Sequence, residues 1–354
     1  MALRIAVFAG NYSENLALAL KSRGHDVVVW VGTTKMRWFT WGPPRMWPLL
    51  TRIVASSWIQ VLRALLKRQP KWWRAGREPH GTKVLRRLGI DRVAVANVNA
   101  PYAVKWLASL NLDLIVVAGF DQILKPAVFN LPRFGAINSH PSPLPRYAGP
   151  APVFWMIRNG ERQSAITIHK ITAAVDGGNI IVREPFAIEE DFTSGDVEAR
   201  IREIEPDAIA KAVDQIERGQ ARYEAQAKEE RSYHPYPSDK DKTVRWSEAA
   251  VNILCLLRAL QPEEAVLTSM DGDEFAISDV RVVKLAPENL VPGEIVNDDG
   301  VRIVIGTGLG GLSVNRDQIL PRGHSVSGRQ PLDLIRVGAR FSTISDDKDD
   351  LGHG

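Results

Sequence analysis

The sequence predicts two domains, an α/β domain with a mostly parallel sheet and a small C-terminal β-barrel. Before residue 220, runs of Val, Ile and Ala that are apolar throughout alternate with helical segments. This pattern is typical of parallel strands covered on both faces. After residue 260, shorter alternating runs are separated by Gly-rich turns, as in small barrels. The length of 354 residues is sufficient for two cores.

The first domain is predicted to open with a β-α-β unit, in which Gly24 marks the end of the helix. Further strands and helices then alternate, which predicts a Rossmann-like sheet with helices on both faces. The predicted strands span residues 5–9, 27–31, 94–98, 114–118, 136–138, 165–169 and 180–183, and the predicted helices span 14–23, 81–88, 100–110 and 194–218.

The second domain is predicted to start with a helix at 247–260 and to continue as an OB-like barrel of short strands. Its alternating runs lie at 264–268, 274–277, 280–283, 293–296 and 302–305. The glycines between 306 and 311 are assigned to a turn, because no Lys-Ser/Thr pair follows them as in a phosphate-binding loop. The predicted boundaries are 1–222 for the first domain with an insert at 33–79, 223–245 for a linker, 246–341 for the barrel and 342–354 for an acidic disordered tail.

Composition excludes several classes of protein. No apolar run approaches the roughly 18 to 20 residues that a membrane-spanning helix needs, and residues 1–10 lack the pattern of a signal peptide. The single cysteine, Cys255, can form neither an internal disulfide nor a thiolate metal cluster, so a cytoplasmic setting is expected. The histidines lack the spacing of metal ligands, and no metal is expected.

The insert forms a basic segment, with ten Lys and Arg residues and no acidic residue between Asp26 and Glu78. It also contains six tryptophans and apolar residues at helical spacing. Three interpretations stay open for this segment. Residues 35–74 could lie on an anionic membrane surface, could clamp a nucleotide diphosphate or RNA, or could form a helix packed on the first domain with its cations extended to solvent.

The densest chemical signal lies at 136–150, where Asn138 and His140 are two residues apart at a strand end and project to one face. Prolines 141, 143 and 145 stiffen the segment that follows. About thirty-five residues later, Asp176 lies on a Gly-rich turn. An amide, an imidazole and a carboxylate can stabilise an oxyanion, move an amine proton and orient the imidazole, which are the requirements of acyl transfer to an amine.

These segments resemble the formyltransferase family. The matching pieces are Asn-Ser-His-Pro-Ser-Pro-Leu-Pro-Arg-Tyr-Ala-Gly at 138–149 and the segments at 151–161, 167–171 and 175–181. The resemblance implies that Asn138, His140 and Asp176 are catalytic and that N10-formyltetrahydrofolate is the formyl donor. It also implies that residues 246–335 form the C-terminal domain appended to methionyl-tRNA formyltransferases.

The resemblance further implies two sets of binding residues. The expected folate-binding residues are Val117, Gly119, Phe120, Gln122, Ile123, Leu124, Ala173, Val175 and Gly177. The expected acceptor-binding residues are Ser142, Pro143, Arg146, Tyr147 and Gly149. By contrast, His169 lies in a strand alternation and is interpreted as a hydrogen-bonded core histidine.

The acceptor is expected to be a small-molecule amine, such as a nucleotide-linked amino sugar or a secondary-metabolite amine. The Arg- and Gly-rich loop that methionyl-tRNA enzymes place against their tRNA is not recognisable after Val31, and the Trp-rich insert replaces it. Methionyl-tRNA is the alternative acceptor, because the appended domain suits it and the basic insert could contact RNA. A formyltetrahydrofolate hydrolase and a non-catalytic folate-binding scaffold are the remaining alternatives. The oligomeric state is open.

Overall fold

The computed structural model describes residues 2–10, 14–33, 80–286, 291–322 and 331–344. Residues 34–79 of the predicted insert and residues 345–354 of the predicted acidic tail lie outside the described residues. The chain divides into two compact units. The first consists of Met1–His140, Ile166–Glu184 and Arg202–Glu230, and the second of Pro141–Ala165, Pro185–Ile201 and Arg231–Gly354.

A seven-stranded sheet has the order β3-β2-β1-β4-β5-β6-β7. The four pairings among β1 to β5 are all parallel, and β6 pairs antiparallel with β5. The prediction of a mostly parallel sheet is therefore confirmed. The strands are β1 Arg4–Ala9, β2 Asp26–Thr33, β3 Asp91–Val95, β4 Leu114–Ala118, β5 Ala136–His140, β6 Gln163–Lys170 and β7 Ile180–Ala187.

The α-helices of the described residues are α1 Glu14–Ser22, α2 His80–Arg87, α3 Pro101–Ser109, α4 Pro126–Phe129, α5 Pro152–Arg158, α6 Ser194–Glu217 and α7 Ala250–Leu260. Helices α3, α4 and α5 each begin with a proline, a residue that suits the first helical position because the backbone N–H there has no partner within the helix. No helix among the described residues is both long enough and apolar enough to cross a membrane.

The first unit has its core on both faces of the sheet. All residues of β4 are buried, and so are Ile5 to Ala9 of β1. One of its apolar clusters joins alternate side chains of the central strands, including Phe8, Val31 and Val117, to Leu107 of α3 and Val128 of α4. Burial on both faces explains why these strands are apolar throughout in the sequence.

The second unit contains two antiparallel sheets, of order β10-β13-β12-β11 and β14-β9-β8. Trp246 stacks on Phe341, whose ring in turn meets the edge of Phe275. Short antiparallel strands are thus confirmed for the C-terminal part, while their closure into an OB-like barrel remains a prediction. The strands are β8 Val266–Met270, β9 Asp273–Ile277, β10 Val280–Val283, β11 Ile295–Asp298, β12 Arg302–Gly306, β13 Gly311–Asn315 and β14 Ile319–Arg322.

Several local details bear on the remaining expectations. The Gly-rich segment assigned to a turn connects β12 to β13. Cys255 is buried in α7. Ser342, placed by the sequence in the acidic tail, pairs with Ser269 of β8. The predicted domain boundaries remain predictions.

Candidate active site

Two neighbouring strands of the first unit carry the polar side chains of the candidate site. Strand β5 ends with Asn138 and His140, and Asn138 lies directly opposite His169 of β6. His140 and His169 are 6% and 2% exposed, and Asn138 is half-buried. The antiparallel pairing of these two strands therefore places an amide and two imidazoles in one part of the sheet.

His169 is held by hydrogen bonds through both of its ring nitrogens. Its Nδ1 lies 2.9 Å from the Lys170 carbonyl oxygen, and its Nε2 lies 3.2 Å from Asn138 Nδ2. A carbonyl oxygen can only accept, so Nδ1 carries a proton and donates. In the neutral ring Nε2 is then the acceptor, and the Asn138 amide donates to it. His169 consequently fixes the orientation of the Asn138 side chain.

Asp176 lies beside both imidazoles. Its Oδ1 is 3.9 Å from His140 Nδ1 and 3.7 Å from His169 Nε2, and its side chain is 13% exposed. Both distances are longer than a hydrogen bond but within the range of an ion pair with a protonated imidazole. The Asp176 carboxylate is thus within ion-pair distance of His140 and of His169 alike.

The backbone of the Asp176 loop is unusual. Asp176 has a φ of +50°, a left-handed conformation that Asp and Asn tolerate better than most residues. Two residues later, a Cβ added to Gly178 would lie 1.8 Å from the Lys170 carbonyl oxygen. The loop can therefore pass this close to the end of β6 only with glycine at position 178.

The structure thus brings Asn138, His140 and Asp176, the three predicted catalytic residues, into one cluster. It also adds His169, which the sequence analysis treated as a core residue. That interpretation was correct about its burial and its hydrogen bonds but missed that one partner is Asn138. The signal lay in the segment at 167–171, one of those that carry the family resemblance. The catalytic roles themselves remain predictions.

The expected folate-binding residues lie in the first unit, in two segments that follow β4 and β6. Val117 is buried in β4, Gly119 has a φ of +61°, and Phe120 packs against Phe8 with ring centroids 5.3 Å apart. Gln122 accepts a hydrogen bond from the Val98 backbone N–H and donates to the Ala96 carbonyl. These four residues therefore shape the backbone of the segment after β4.

Other members of this set expose apolar surface. Ile123 is 71% exposed and Val175 is 42% exposed, while Leu124 is buried. Ala173 is also exposed, and Gly177 is half-buried. These two segments therefore present aliphatic side chains to solvent.

The expected acceptor-binding residues lie in the second unit. Ser142 donates a hydrogen bond to the Arg146 carbonyl. Pro143 is half-buried, and the Arg146 side chain is 49% exposed. A Cβ on Gly149 would lie 2.2 Å from the His234 carbonyl oxygen, so glycine is required where these two backbones meet.

Tyr147 anchors this segment from within. Its hydroxyl donates to Glu161 and accepts from Asn159, its backbone N–H donates to Ser232, and its ring stacks on His234 at 5.0 Å. Burial raises the pKa of the Tyr147 phenol and lowers the pKa of the His234 imidazole. Tyr147 is 6% exposed, so it supports the segment more than it offers a surface to a ligand.

Lys170 is a further polar group at the end of β6. Its Nζ donates to the Phe134 carbonyl oxygen and lies 5.9 Å from the centre of the Tyr223 ring. Burial lowers the pKa of this ammonium group. Lys170 therefore ties the end of β6 to the turn before β5.

Comparison with known proteins identifies the family. The formyl transferase family model matches residues 59–213, and the model for the formyl transferase C-terminal domain matches residues 238–331. A methionyl-tRNA formyltransferase of Geobacter metallireducens is 31% identical over 275 residues, which cover 77% of this chain and 87% of the relative.

Solved structures of low identity show the same fold. An N-formyltransferase from Helicobacter canadensis, solved with folinic acid and dTDP-3-aminofucose, superposes with a TM-score of 0.61 at 15% identity, covering 91% of this chain and 100% of that one. HypX from Aquifex aeolicus, in complex with tetrahydrofolic acid, gives a TM-score of 0.55 at 16% identity over 89% of this chain, which spans 44% of HypX. Both domain models match this chain, and the methionyl-tRNA formyltransferase resembles it over most of its length, so the chain belongs to the formyltransferase family of enzymes.

Proposed function

We propose that this enzyme transfers a formyl group from N10-formyltetrahydrofolate to a primary amine of a small-molecule acceptor. The observation that carries the proposal is the cluster of Asn138, His140, His169 and Asp176 at the end of β5 and β6. The acceptor class is a nucleotide-linked amino sugar or a secondary-metabolite amine.

In the proposed reaction the nitrogen lone pair of the amine attacks the formyl carbon, and the carbonyl oxygen becomes an oxyanion. One N–H of the Asn138 amide is used by His169, and the second is directed to that oxyanion. The tetrahedral intermediate then collapses with cleavage of the bond to folate N10. His140 moves the proton lost by the amine towards the leaving nitrogen, and Asp176 orients the imidazole and stabilises its protonated form.

The donor is proposed to lie against the segments that follow β4 and β6. The exposed side chains of Ile123 and Val175 would contact its rings, while the Gln122 hydrogen bonds to Val98 and Ala96 keep the first segment in place. The acceptor is proposed to contact Arg146, whose guanidinium is half exposed, on the segment that Tyr147 supports.

Methionyl-tRNA is the second candidate acceptor, and the 31% identical methionyl-tRNA formyltransferase favours it. The sequence after Val31 argues against it, since the loop that such enzymes place against tRNA is not recognisable there. Closure of the C-terminal strands into an OB-like barrel is compatible with either acceptor.

The test is a comparison of acceptors with one donor. Purified protein is incubated with N10-formyltetrahydrofolate and either amino-sugar nucleotides or charged initiator tRNA, and tetrahydrofolate release and the mass of the acceptor are followed. We expect a mass gain of one formyl group on an amino-sugar nucleotide, and loss of that product in His140→Ala. Product from the tRNA alone would reverse the choice of acceptor, and formate release without any amine would indicate a hydrolase. An unchanged rate in His140→Ala would contradict the proposed chemistry.

A further inference from the structure

The chain after α6 returns to the Asp176 loop and runs beside the start of β7. Ile180 and Glu224 exchange both of their backbone hydrogen bonds, at 2.8 and 2.9 Å. Arg183 and Glu224 add an ion pair at 3.6 Å. These contacts, all within the first unit, fix the backbone two residues before Gln226.

Gln226 uses its side chain to bind two backbone carbonyls of the loop. Its Nε2 donates to the carbonyl oxygens of Asp176 and Gly178, each at 2.8 Å. Because both carbonyls can only accept, the amide nitrogen must face them. The Gln226 Oε1 is buried and has no hydrogen-bond partner among the described residues. In this orientation the two loop carbonyls accept hydrogen bonds, while the buried Oε1 has none to offset the free-energy cost of its desolvation.

The loop needs such a contact because its backbone is not a preferred one. Asp176 has a φ of +50°, and Gly178 passes against the Lys170 carbonyl. Such conformations persist when surrounding interactions hold them. A primary amide suits this position, because its two N–H groups lie in one plane and can bind two carbonyls at once.

We infer that Gln226 is a positioning residue that sets the place of the Asp176 carboxylate relative to His140. The inference rests on the role proposed above for Asp176. The carboxylate lies 3.9 Å from His140 Nδ1, so a small shift of the loop decides whether the two groups can form a hydrogen bond. Gln226 acts through the backbone carbonyls of Asp176 and Gly178 rather than through the reacting atoms.

The inference is tested with Gln226→Met, which removes both donors, and Gln226→Glu, which keeps the shape but turns an oxygen towards the two carbonyls. Gln318→Met is the matched control, because it removes a glutamine hydrogen bond, the one from Ser278 at 2.6 Å, in the second unit. Three properties are measured: hydrogen exchange of residues 172–180, the melting temperature, and kcat and KM for donor and acceptor.

Both Gln226 variants are expected to exchange faster at 172–180 and to lose about tenfold in kcat, with the acceptor KM kept within about twofold. Gln318→Met should leave exchange at 172–180 and kcat unchanged. Unaltered exchange at 172–180 in both Gln226 variants would overturn the inference, and so would an unaltered kcat or a loss confined to KM. Hydrogen exchange needs no acceptor. If the wild-type protein formylates nothing, the proposed function fails, and exchange alone decides whether Gln226 holds the loop.

Discussion

Among the pairs of histidine and aspartate in the first unit, His25 with Asp214 and His140 with Asp176 differ in how closely they meet. His25 Nε2 is 3.0 Å from Asp214 Oδ1, a hydrogen-bond distance, whereas His140 Nδ1 is 3.9 Å from Asp176 Oδ1. Both histidines are buried, at 2% and 6% exposure. Burial therefore does not distinguish the pairs, and the geometry of the carboxylate does.

The close pair belongs to a structural network. Arg23 binds the other oxygen of Asp214 at 2.6 Å and reaches Asp207 at 3.5 Å, so α6 is tied to the turn between α1 and β2. Burial alone would raise the pKa of Asp214, but hydrogen bonds from Arg23 and His25 and the charge of Arg23 outweigh it and lower the pKa. The looser pair consists of His140, at the end of β5, and Asp176, which lies in the loop after β6 and has a left-handed backbone conformation. The close pair is thus tied by hydrogen bonds and charge to a long helix, although His25 Nδ1 is buried without a hydrogen-bond partner among the described residues, whereas the looser pair lies at ion-pair distance.

The largest expected effect separates activity from stability at the looser pair. His140→Ala should lower kcat by about 10²- to 10⁴-fold, because a positioned acid or base is removed. Loss of the 3.9 Å contact with Asp176 should itself cost little unfolding free energy, because that contact is longer than a hydrogen bond. Single-turnover rates and urea unfolding measure the two effects. A His140→Ala variant with a much lower unfolding free energy and an unchanged rate would show that this pair is structural rather than catalytic.

At the close pair the opposite result is expected. His25→Ala should lower the unfolding free energy by about 1.5 to 3 kcal/mol, the range for hydrogen bonds to a charged group, and should leave kcat unchanged. Denaturant unfolding and the formyl-transfer assay test this pair. Loss of kcat at full stability would show that the close pair also serves the reaction.

Gly178→Ala should affect both properties. The added Cβ meets a backbone oxygen at 1.8 Å, so the Asp176 loop must move, at a cost of about 1 to 3 kcal/mol. Turnover should fall because Asp176 moves with the loop. Gly32→Ala is the control, since its nearest neighbours would lie 4.0 Å away. Equal unfolding free energies and turnover rates in Gly178→Ala and Gly32→Ala would argue that the Asp176 loop is not sterically fixed.

A smaller change in unfolding free energy is expected when the pH is lowered. The pKa of Asp214 is lowered in the folded state, so its contribution to stability is present above the unfolded pKa of about 3.9 and is lost as pH falls through the folded pKa. The difference in unfolding free energy between wild type and Asp214→Asn should thus shrink below about pH 4. Urea titrations from neutral to acid pH measure it, and a difference that grows towards low pH would contradict the assignment.

The smallest expected effect concerns metal. Ligand atoms of His25, Asp214 and Glu217 lie within 4.8 Å of one another, but Arg23 and His25 already bind Asp214. Dialysis against EDTA, or addition of zinc, should leave the melting temperature unchanged. A melting temperature that rises with zinc in the wild type but not in His25→Gln would show that the close pair binds metal.

The parts of the fold that depend on local pattern could be predicted from the sequence. The run at 114–118 predicts β4 with the observed bounds, because a strand buried on both faces has no polar position. The short strands β13 and β14 were not predicted. The alternation in Gly311–Asn315 covers only four residues after a Gly-rich turn, and Ile319–Arg322 contains a proline, which argues against a strand.

Within the candidate site, the chemistry of single residues was readable but their pairing was not. Asn138, His140 and Asp176 follow from a motif and its residue types. The contact between Asn138 and His169 depends on the antiparallel register of β5 and β6, and short apolar runs do not specify register. Gln226 lies 50 residues from Asp176 in the chain, and its hydrogen bonds go to backbone atoms, which carry no sequence signal.

The left-handed backbone at Asp176 limits how this protein can change over evolutionary time. Aspartate and asparagine are the side chains, after glycine, that best tolerate that conformation. A change to asparagine would therefore keep the loop and remove only the negative charge. Under the role proposed for Asp176, a catalytically silent descendant with an intact fold is thus a single substitution away, and the preserved shape of such a paralogue would not reveal its loss of activity.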